Sequence, residues 1–294
     1  MHYADGALWH PLFETTEAML QVAQGCSHNK CKFCTMFKGS GFCVSPEEDA
    51  LSNIDEPTRT SWRDSDCVFL TGGNACCLPT DTLVRTIESI RAKMPLVKTI
   101  GCFARVSDIE RKSDEELSSL QALGVDDLSI GAESGYGLAL DFMDKGHTPD
   151  DIVVQCKRLD DVGMSYSLFY LAGIAGAGNY ERNVAATVDV FGEINPKWVM
   201  IHTLTLFPGA PLREDVEAGL FEPSSETDIL KELRLLVATL RNETYLLGAH
   251  IGNIAPFNAF LPMQRGGVLA YLDNRIATAD EQRLAHFRRH LRSM

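Results

Sequence analysis

The sequence predicts a parallel α/β fold, and three observations point to it. Apolar runs of strand length alternate six times with amphipathic runs of helix length, joined by short connections. The strand-like runs are almost continuously apolar, as expected when helices cover both faces of a parallel sheet. Glycines, cysteines and charged residues gather directly after those runs, at the carboxyl ends where such folds bind ligands. Crossover handedness would curl the sheet with its helices outside. Periodicity alone leaves an open doubly wound sheet and a partial or complete barrel equally open.

The strand candidates, in order, are Met19–Gln24, Cys67–Thr71, Thr99–Arg105, Asp127–Ala132, Ser165–Gly173 and Trp198–Leu206. The first helix opens at Ser45-Pro46-Glu47-Glu48, a cap followed by proline in the first turn. Thr80-Asp81 begins the second, which runs to about Lys93 and stops before Pro95. Ser113-x-x-Glu116 is a capping box, and Gly124 ends that helix. Thr148-Pro149-Asp150-Asp151 opens the fourth, closed by Gly163. Asn179–Ile194 makes the fifth and Thr227–Arg241 the sixth. Beyond Arg241 the pattern loosens: Tyr245–Ile251 reads as a further strand, Asn253–Gly267 as irregular and Thr278–Arg292 as a terminal helix.

A chain of 294 residues can bury a substantial core, and 45% hydrophobic with 23% charged residues is ordinary for a globular protein. The formal net charge of −13 is a poor match to a phosphate backbone and disfavours nucleic acid as a main partner. No basic run, signal peptide or membrane-length apolar stretch is present in the sequence. Nine cysteines without secretory features read as thiols or metal ligands in a reducing cytoplasm.

Chemistry concentrates first in Gly25-Cys26-Ser27-His28-Asn29-Lys30-Cys31-Lys32-Phe33-Cys34, where three cysteines stand as Cys-x4-Cys-x2-Cys. A zinc knuckle completed by His28 or Cys43 is one reading. Three thiolates on a 4Fe–4S cluster that keeps one iron free is the other. The downstream loops favour the second. Thr71-Gly72-Gly73-Asn74-Ala75-Cys76-Cys77 follows strand two, Arg105 ends strand three and Glu133-Ser134-Gly135 ends strand four. Gly173-Ile174-Ala175-Gly176 follows strand five and Phe207-Pro208-Gly209 strand six. A knuckle has no reason to open such a series, whereas a cluster at the mouth of a barrel does.

Together these residues resemble the radical S-adenosylmethionine (SAM) superfamily. The similarity is to the branch that includes oxygen-independent coproporphyrinogen dehydrogenases, methylthiotransferases and the Elongator catalytic subunit, and it covers about Met19 to Gly209. The resemblance implies a partial (β/α)6 TIM-like barrel over residues 1–215, with 216–294 as a helical or irregular cap on the same domain. It implies Cys26, Cys31 and Cys34 as ligands of a 4Fe–4S cluster, although the usual motif has three residues in the first gap, not four. It places Phe33 near the adenine of SAM and the backbone of Gly72, Gly73 and Asn74 at its ammonium, where the family usually has Glu in place of Asn74. Glu133 and Ser134 would reach the ribose, Lys145 the carboxylate, and Gly173 and Ile174 the adenine. The implied chemistry is reductive cleavage of SAM to a 5′-deoxyadenosyl radical that abstracts hydrogen from a substrate. A flavodoxin- or ferredoxin-type reductant and a small-molecule substrate are the partners expected.

Other candidates carry two readings each. Cys76 could donate hydrogen to a substrate radical, or, with Cys77, hold a second cluster; each could also be a small buried apolar residue. Arg105 could clamp an anionic substrate group or pair with Glu133 or Asp108. His202 lies in an apolar strand, either as a core histidine or facing the lumen. His250, Asn253 and Arg265 punctuate the tail, where substrate specificity would reside if it caps the mouth. Cys43, Cys67, Cys102 and Cys156 read as structural. Alternatives to a small-molecule enzyme are a tRNA- or peptide-modifying member and a non-catalytic zinc or iron–sulfur module. Acidic charge and the lack of an appended RNA-binding domain oppose the tRNA reading, and no cysteine-rich C-terminal extension supports the peptide one.

Overall fold

The computed structural model describes residues 18–55 and 64–291, a mixed α/β protein with a mostly parallel sheet. In chain order the first elements are β1 (Ala18–Gln21), β2 (Ala23–Gln24), β3 (Cys43–Val44), α1 (Glu47–Asp55), β4 (Cys67–Thr71) and α2 (Thr80–Lys93). Next come β5 (Thr99–Ala104), α3 (Val106–Glu110), α4 (Asp114–Ala122), β6 (Val125–Glu133), α5 (Gly137–Phe142) and α6 (Pro149–Val162). They are followed by β7 (Tyr166–Ala172), α7 (Tyr180–Phe191), β8 (Trp198–Thr203), α8 (Leu212–Glu217) and α9 (Glu226–Thr239). Last are β9 (Thr244–Leu247), β10 (Asn258–Leu261), α10 (Arg265–Ala277) and α11 (Glu281–His290). No helix among the described residues is long and apolar enough to cross a membrane.

The residues fall into two compact units. One holds the described residues up to Asn29, Gly39–Gly131 and Arg158–Tyr166. In it β1, β4, β5 and β6 pair in parallel, with Leu20 beside Leu70 and Leu70 beside Cys102. Both faces are covered, so Val68, Phe69, Leu70, Ile100, Leu128 and Ile130 are all buried. The capping box of α4 forms as its sequence specifies. Ser113 Oγ accepts from the Glu116 N–H at 3.2 Å, and the Glu116 carboxylate accepts from the Ser113 N–H at 2.8 Å. Arg158 ties α6 to this region by donating to Asp114, to Ile109 O and to Lys112 O.

The other unit holds Lys30–Lys38, Ala132–Lys157 and the described residues from Ser167 onward. Here β7, β8 and β9 are parallel and β10 runs antiparallel to β9. Its apolar core includes Ala139, Met143, Leu171, Ile174, Leu204, Leu212 and Phe221, with Phe33, Tyr136 and Phe142 packed against it.

Several boundaries differ from the sequence reading. The first strand stops at Gln21; Val22 donates to Thr71 O at 3.2 Å, and Ala23–Gln24 turn away to pair with Cys43–Val44. Strand three ends at Ala104, because the Asp108 carboxylate accepts the Arg105 N–H at 2.9 Å and starts a helix there. The stretch read as irregular contains β10 and the first turn of α10, a helix of 13 residues that the sequence reading passed over. The terminal helix runs from Glu281 to His290, and the expected end at Arg292 lies outside the described residues.

Candidate active site

The first unit carries Cys26, Gly72, Gly73, Asn74, Cys76 and Arg105. Gly73 N–H donates to Gly25 O at 2.8 Å, so the glycine turn after β4 rests directly on the start of the cysteine loop. The approach leaves no room for a side chain. A Cβ on Gly73 would lie 2.3 Å from Gly25 O and 2.5 Å from Cys26 Cα; one on Gly72, whose φ is +134°, would lie 2.8 Å from Ala23 O. Gly73→Ala is therefore expected to push the Cys26 backbone out of place. Its check is iron content after anaerobic reconstitution, which should fall severalfold while far-UV circular dichroism is kept. Wild-type iron loading in the variant would show that this contact does not matter.

Asn74 is buried and all of its amide is engaged. Its oxygen accepts from Ser27 N at 2.9 Å, and its NH2 donates to Ser27 Oγ at 2.8 Å and to Asp108 Oδ2 at 2.8 Å. Asn74 thus fastens the residue after Cys26 to the start of α3. Burial raises the Asp108 carboxyl above its ordinary range, opposed by the bonds from Asn74 and Arg105. Its second oxygen, Oδ1, is buried with no hydrogen-bond partner among the described residues. In the four-residue gap between Cys26 and Cys31, Asn29 sits at φ +48°, a conformation asparagine tolerates, and donates to Ser40 O at 3.3 Å.

Cys76 is 3% exposed and its thiol meets that of Cys102, whose own pKa is raised by that hydrogen bond and by burial. Cys77, on the same 3-10 turn, is pushed up to about 12 by burial and then by the neighbouring Asp108. Cys77 and Cys102 are therefore thiols at neutral pH. Arg105 reaches Ser107 Oγ at 3.1 Å with its guanidinium.

The second unit carries Cys31, Phe33, Cys34, Glu133, Ser134, Lys145, Gly173, Ile174 and His202. The segment of Cys31 and Cys34 is anchored by its backbone, Lys32 N–H donating to Met143 O at 3.1 Å and Lys32 O accepting from Leu212 N at 2.9 Å. Three of the residues singled out in the sequence meet here. Lys145 Nζ lies 3.1 Å from Glu133 Oε1, with side chains only 6% and 13% exposed, and 5.6 Å from the centroid of the Phe33 ring. Glu133 ends β6 at φ +67°, a strained position for a side-chain-bearing residue.

Ser134 is fully buried and donates to Asn183 Oδ1 at 2.5 Å. Gly173 N–H donates to Glu232 Oε2 at 3.0 Å. Ile174 is buried in the apolar core. His202 stacks on His250 at 4.3 Å, and its pKa is lowered to about 3 by burial and by that neighbour. Gly252 N–H donates to His250 Nδ1 at 3.1 Å, so that nitrogen is unprotonated and the stack is neutral at pH 7. Asn253 and Arg265 bind the chain's own backbone: Asn253 at Ile201 O and Gly248 O, Arg265 at Leu240 O.

Asn183 and Glu232 were not singled out in the sequence, and Asp108 was named there only as a partner for Arg105. Glu232 left a faint signal, an acid standing in the apolar stripe Ile229, Leu233, Leu236 of an amphipathic helix.

The donor chemistry fits a cluster. Cys26, Cys31 and Cys34 are half-buried, in no disulfide, and close in sequence. Among the described residues no three His, Cys, Asp or Glu side chains, these cysteines included, are gathered as a preformed metal site, and Cys43 is exposed on β3.

The family model described as "Radical SAM superfamily" matches residues 20–182. The chain is 24% identical over 246 residues to a tRNA-2-methylthio-N(6)-dimethylallyladenosine synthase of Alteromonas mediterranea, 81% of this chain and 50% of that protein. It is 23% identical over 120 residues to a tRNA uridine(34) acetyltransferase of Methanocaldococcus jannaschii, 40% of this chain and 22% of that protein. The chain thus spans half or less of the length of these curated relatives. Among solved structures, coproporphyrinogen III oxidase (HemN) from Escherichia coli has a TM-score of 0.62 at 17% identity, over 86% of this chain and 58% of that one. That likeness bears on the fold and agrees with the partial barrel.

Proposed function

Since the chain belongs to the radical SAM superfamily, enzymes that use a 4Fe–4S cluster and SAM, we propose that Cys26, Cys31 and Cys34 hold the cluster and that the loops described above hold SAM. The observation that carries this reading is the meeting of Lys145, Glu133 and Phe33 in the unit that also anchors Cys31 and Cys34. Bound together, the two cofactors supply reductive cleavage of the sulfonium and removal of a hydrogen atom from substrate.

The chain's own residues then bind, orient and shield. Gly72 and Gly73 let the turn that would meet the SAM ammonium pack closely on the cysteine loop, and Asn74 fixes that turn against Ser27. Lys145, with three donors, can keep Glu133 and also meet a carboxylate. Phe33 presents a ring face to adenine. Glu133 stands at the turn offered to the ribose, which Ser134, buried and bonded to Asn183 and Tyr136 N–H, supports from behind, and Gly173 and Ile174 stand at the adenine. On the substrate side, burial of Cys76 against Cys102 favours the packing role weighed for it in the sequence. Arg105 remains the candidate for an anionic group. His202, neutral and stacked, suits a wall of the substrate space better than an acid or clamp. In this reading residues 1–215 carry the core, 216–294 cap it, and an external flavodoxin- or ferredoxin-type protein delivers the electron to act on a small molecule.

A second reading, modification of tRNA, is favoured by the names of the two curated relatives. A formal net charge of −13 opposes it, since phosphate contacts need cations.

The test is anaerobic reconstitution with iron and sulfide, then dithionite and SAM. The expected outcome is a brown protein that forms 5′-deoxyadenosine. A colourless protein that retains zinc would sink the proposal. Salt-sensitive binding of bulk tRNA would shift it to the second reading.

A further inference from the structure

We propose that Glu232 is a positioning residue, a buried acceptor that sets the direction of one hydrogen-bond chain joining the turn after β6 to the turn after β7. The inference rests on the reading above for the sense of those turns as SAM-binding, but the chain itself is observed bond by bond.

Glu232 lies on α9 and is 1% exposed, among Ile229, Leu233 and Leu236. Its bonded partners are all neutral donors. Oε1 accepts from the Tyr170 hydroxyl at 2.6 Å and from Asn183 Nδ2 at 2.8 Å, and Oε2 accepts from Gly173 N at 3.0 Å. A carboxylate buried without a cation is costly, and an apolar residue would pack this helix more cheaply. Burial accordingly moves its carboxyl up to about 7. The acid therefore needs a reason other than packing.

That reason is polarity. Ionised, as it is above about pH 7, the carboxylate only accepts, so Asn183 must then turn its NH2 toward Glu232 and its oxygen toward Ser134. Ser134 must then donate its one proton to Asn183, which leaves its oxygen to accept Tyr136 N–H at 2.8 Å. Thr187 completes the arrangement. Its hydroxyl donates to Asn183 O at 2.7 Å and accepts Gly135 N–H at 2.9 Å. Two backbone N–H groups in two turns, those of Tyr136 and Gly173, are thereby tied through side chains to one residue of a helix outside the matched family region, which ends at 182, and Gly135 N–H joins them through Thr187 and the Asn183 carbonyl. If Glu232 were glutamine, its NH2 would face either Gly173 N–H or the Tyr170 and Asn183 donors. Either choice opposes donor to donor and releases one turn.

The variant Glu232→Gln tests this on the full chain, first without cofactors. Amide hydrogen exchange at Gly135, Tyr136 and Gly173 should speed up about tenfold in at least one turn and become uncoupled between the two. Tyr170→Phe removes one donor to Glu232 and one acceptor of Asn183 Nδ2, whose bond to Glu232 remains, and should leave both turns protected. In reconstituted protein, Glu232→Gln should weaken SAM binding about tenfold at unchanged iron content and unchanged unfolding temperature. Exchange and SAM affinity both equal to wild type would overturn the proposal. If the variant does not fold, the wild type decides: the three amides should open together, and separate opening of the two turns overturns it. A wild type that loads iron but binds no SAM overturns the SAM assignment of the turns, while the exchange result still judges the coupling.

Discussion

Replacing Cys31 with alanine is expected to abolish iron retention and 5′-deoxyadenosine formation together, without unfolding the chain. The segment is held by its main chain, Lys32 N–H to Met143 O and Leu212 N–H to Lys32 O, and Cys34 N–H reaches Cys31 O at 3.3 Å. None of these bonds uses the Cys31 thiol, which is free and half-buried. Trimming a sulfur there should change folding stability by no more than about 0.5 kcal/mol. One of three thiolates is lost, however, and a cluster held by two protein bonds is not expected to survive desalting. The measurements are iron and sulfide per chain, the visible charge-transfer band, and product after reduction with SAM. Four irons, or undiminished product, in the variant would mean that the ligand assignment is wrong.

Lys145→Met carries the second large effect, and it splits into two parts. Lys145 Nζ and Glu133 Oε1 are 3.1 Å apart in a nearly dry environment. Removing the cation leaves a carboxylate buried alone at a strained strand end, which costs about 3–5 kcal/mol of stability. On the proposed role of Lys145 at the SAM carboxylate, SAM affinity should also fall by at least tenfold. The double replacement Lys145→Met with Glu133→Gln separates the parts. It removes both charges and should restore most of the stability, as read by denaturant unfolding, but not SAM binding. Full recovery of SAM affinity in the double variant would show that Lys145 serves only the fold.

Much of the architecture was legible because local rules and global packing agree. The capping box at Ser113 and Glu116 forms as its spacing requires, and the apolar run Cys67–Thr71 is a strand buried on both faces. The antiparallel strand Asn258–Leu261 escaped notice because four residues with an exposed start carry no clear period, and α10 is only weakly amphipathic. The end of strand three shifted from Arg105 to Ala104 for a side-chain reason: Asp108 reaches back to the Arg105 amide.

At the site the division is similar. Residue type and order alone singled out Cys26, Cys31 and Cys34, the glycine pair at 72 and 73, and the acid and lysine at 133 and 145. Thiolates, glycines and a cation are what cluster and SAM chemistry demands, whatever surrounds them. Tertiary structure decided which polar groups are already spent. Asn74 uses its whole amide on Ser27 and Asp108, the His202 ring is stacked and neutral, and Glu232 arrives from beyond the matched region to accept three donors. Periodicity reports which face of an element is buried. It does not report which donor meets which acceptor, because that depends on distances between residues tens of positions apart in the chain, which only the folded structure sets.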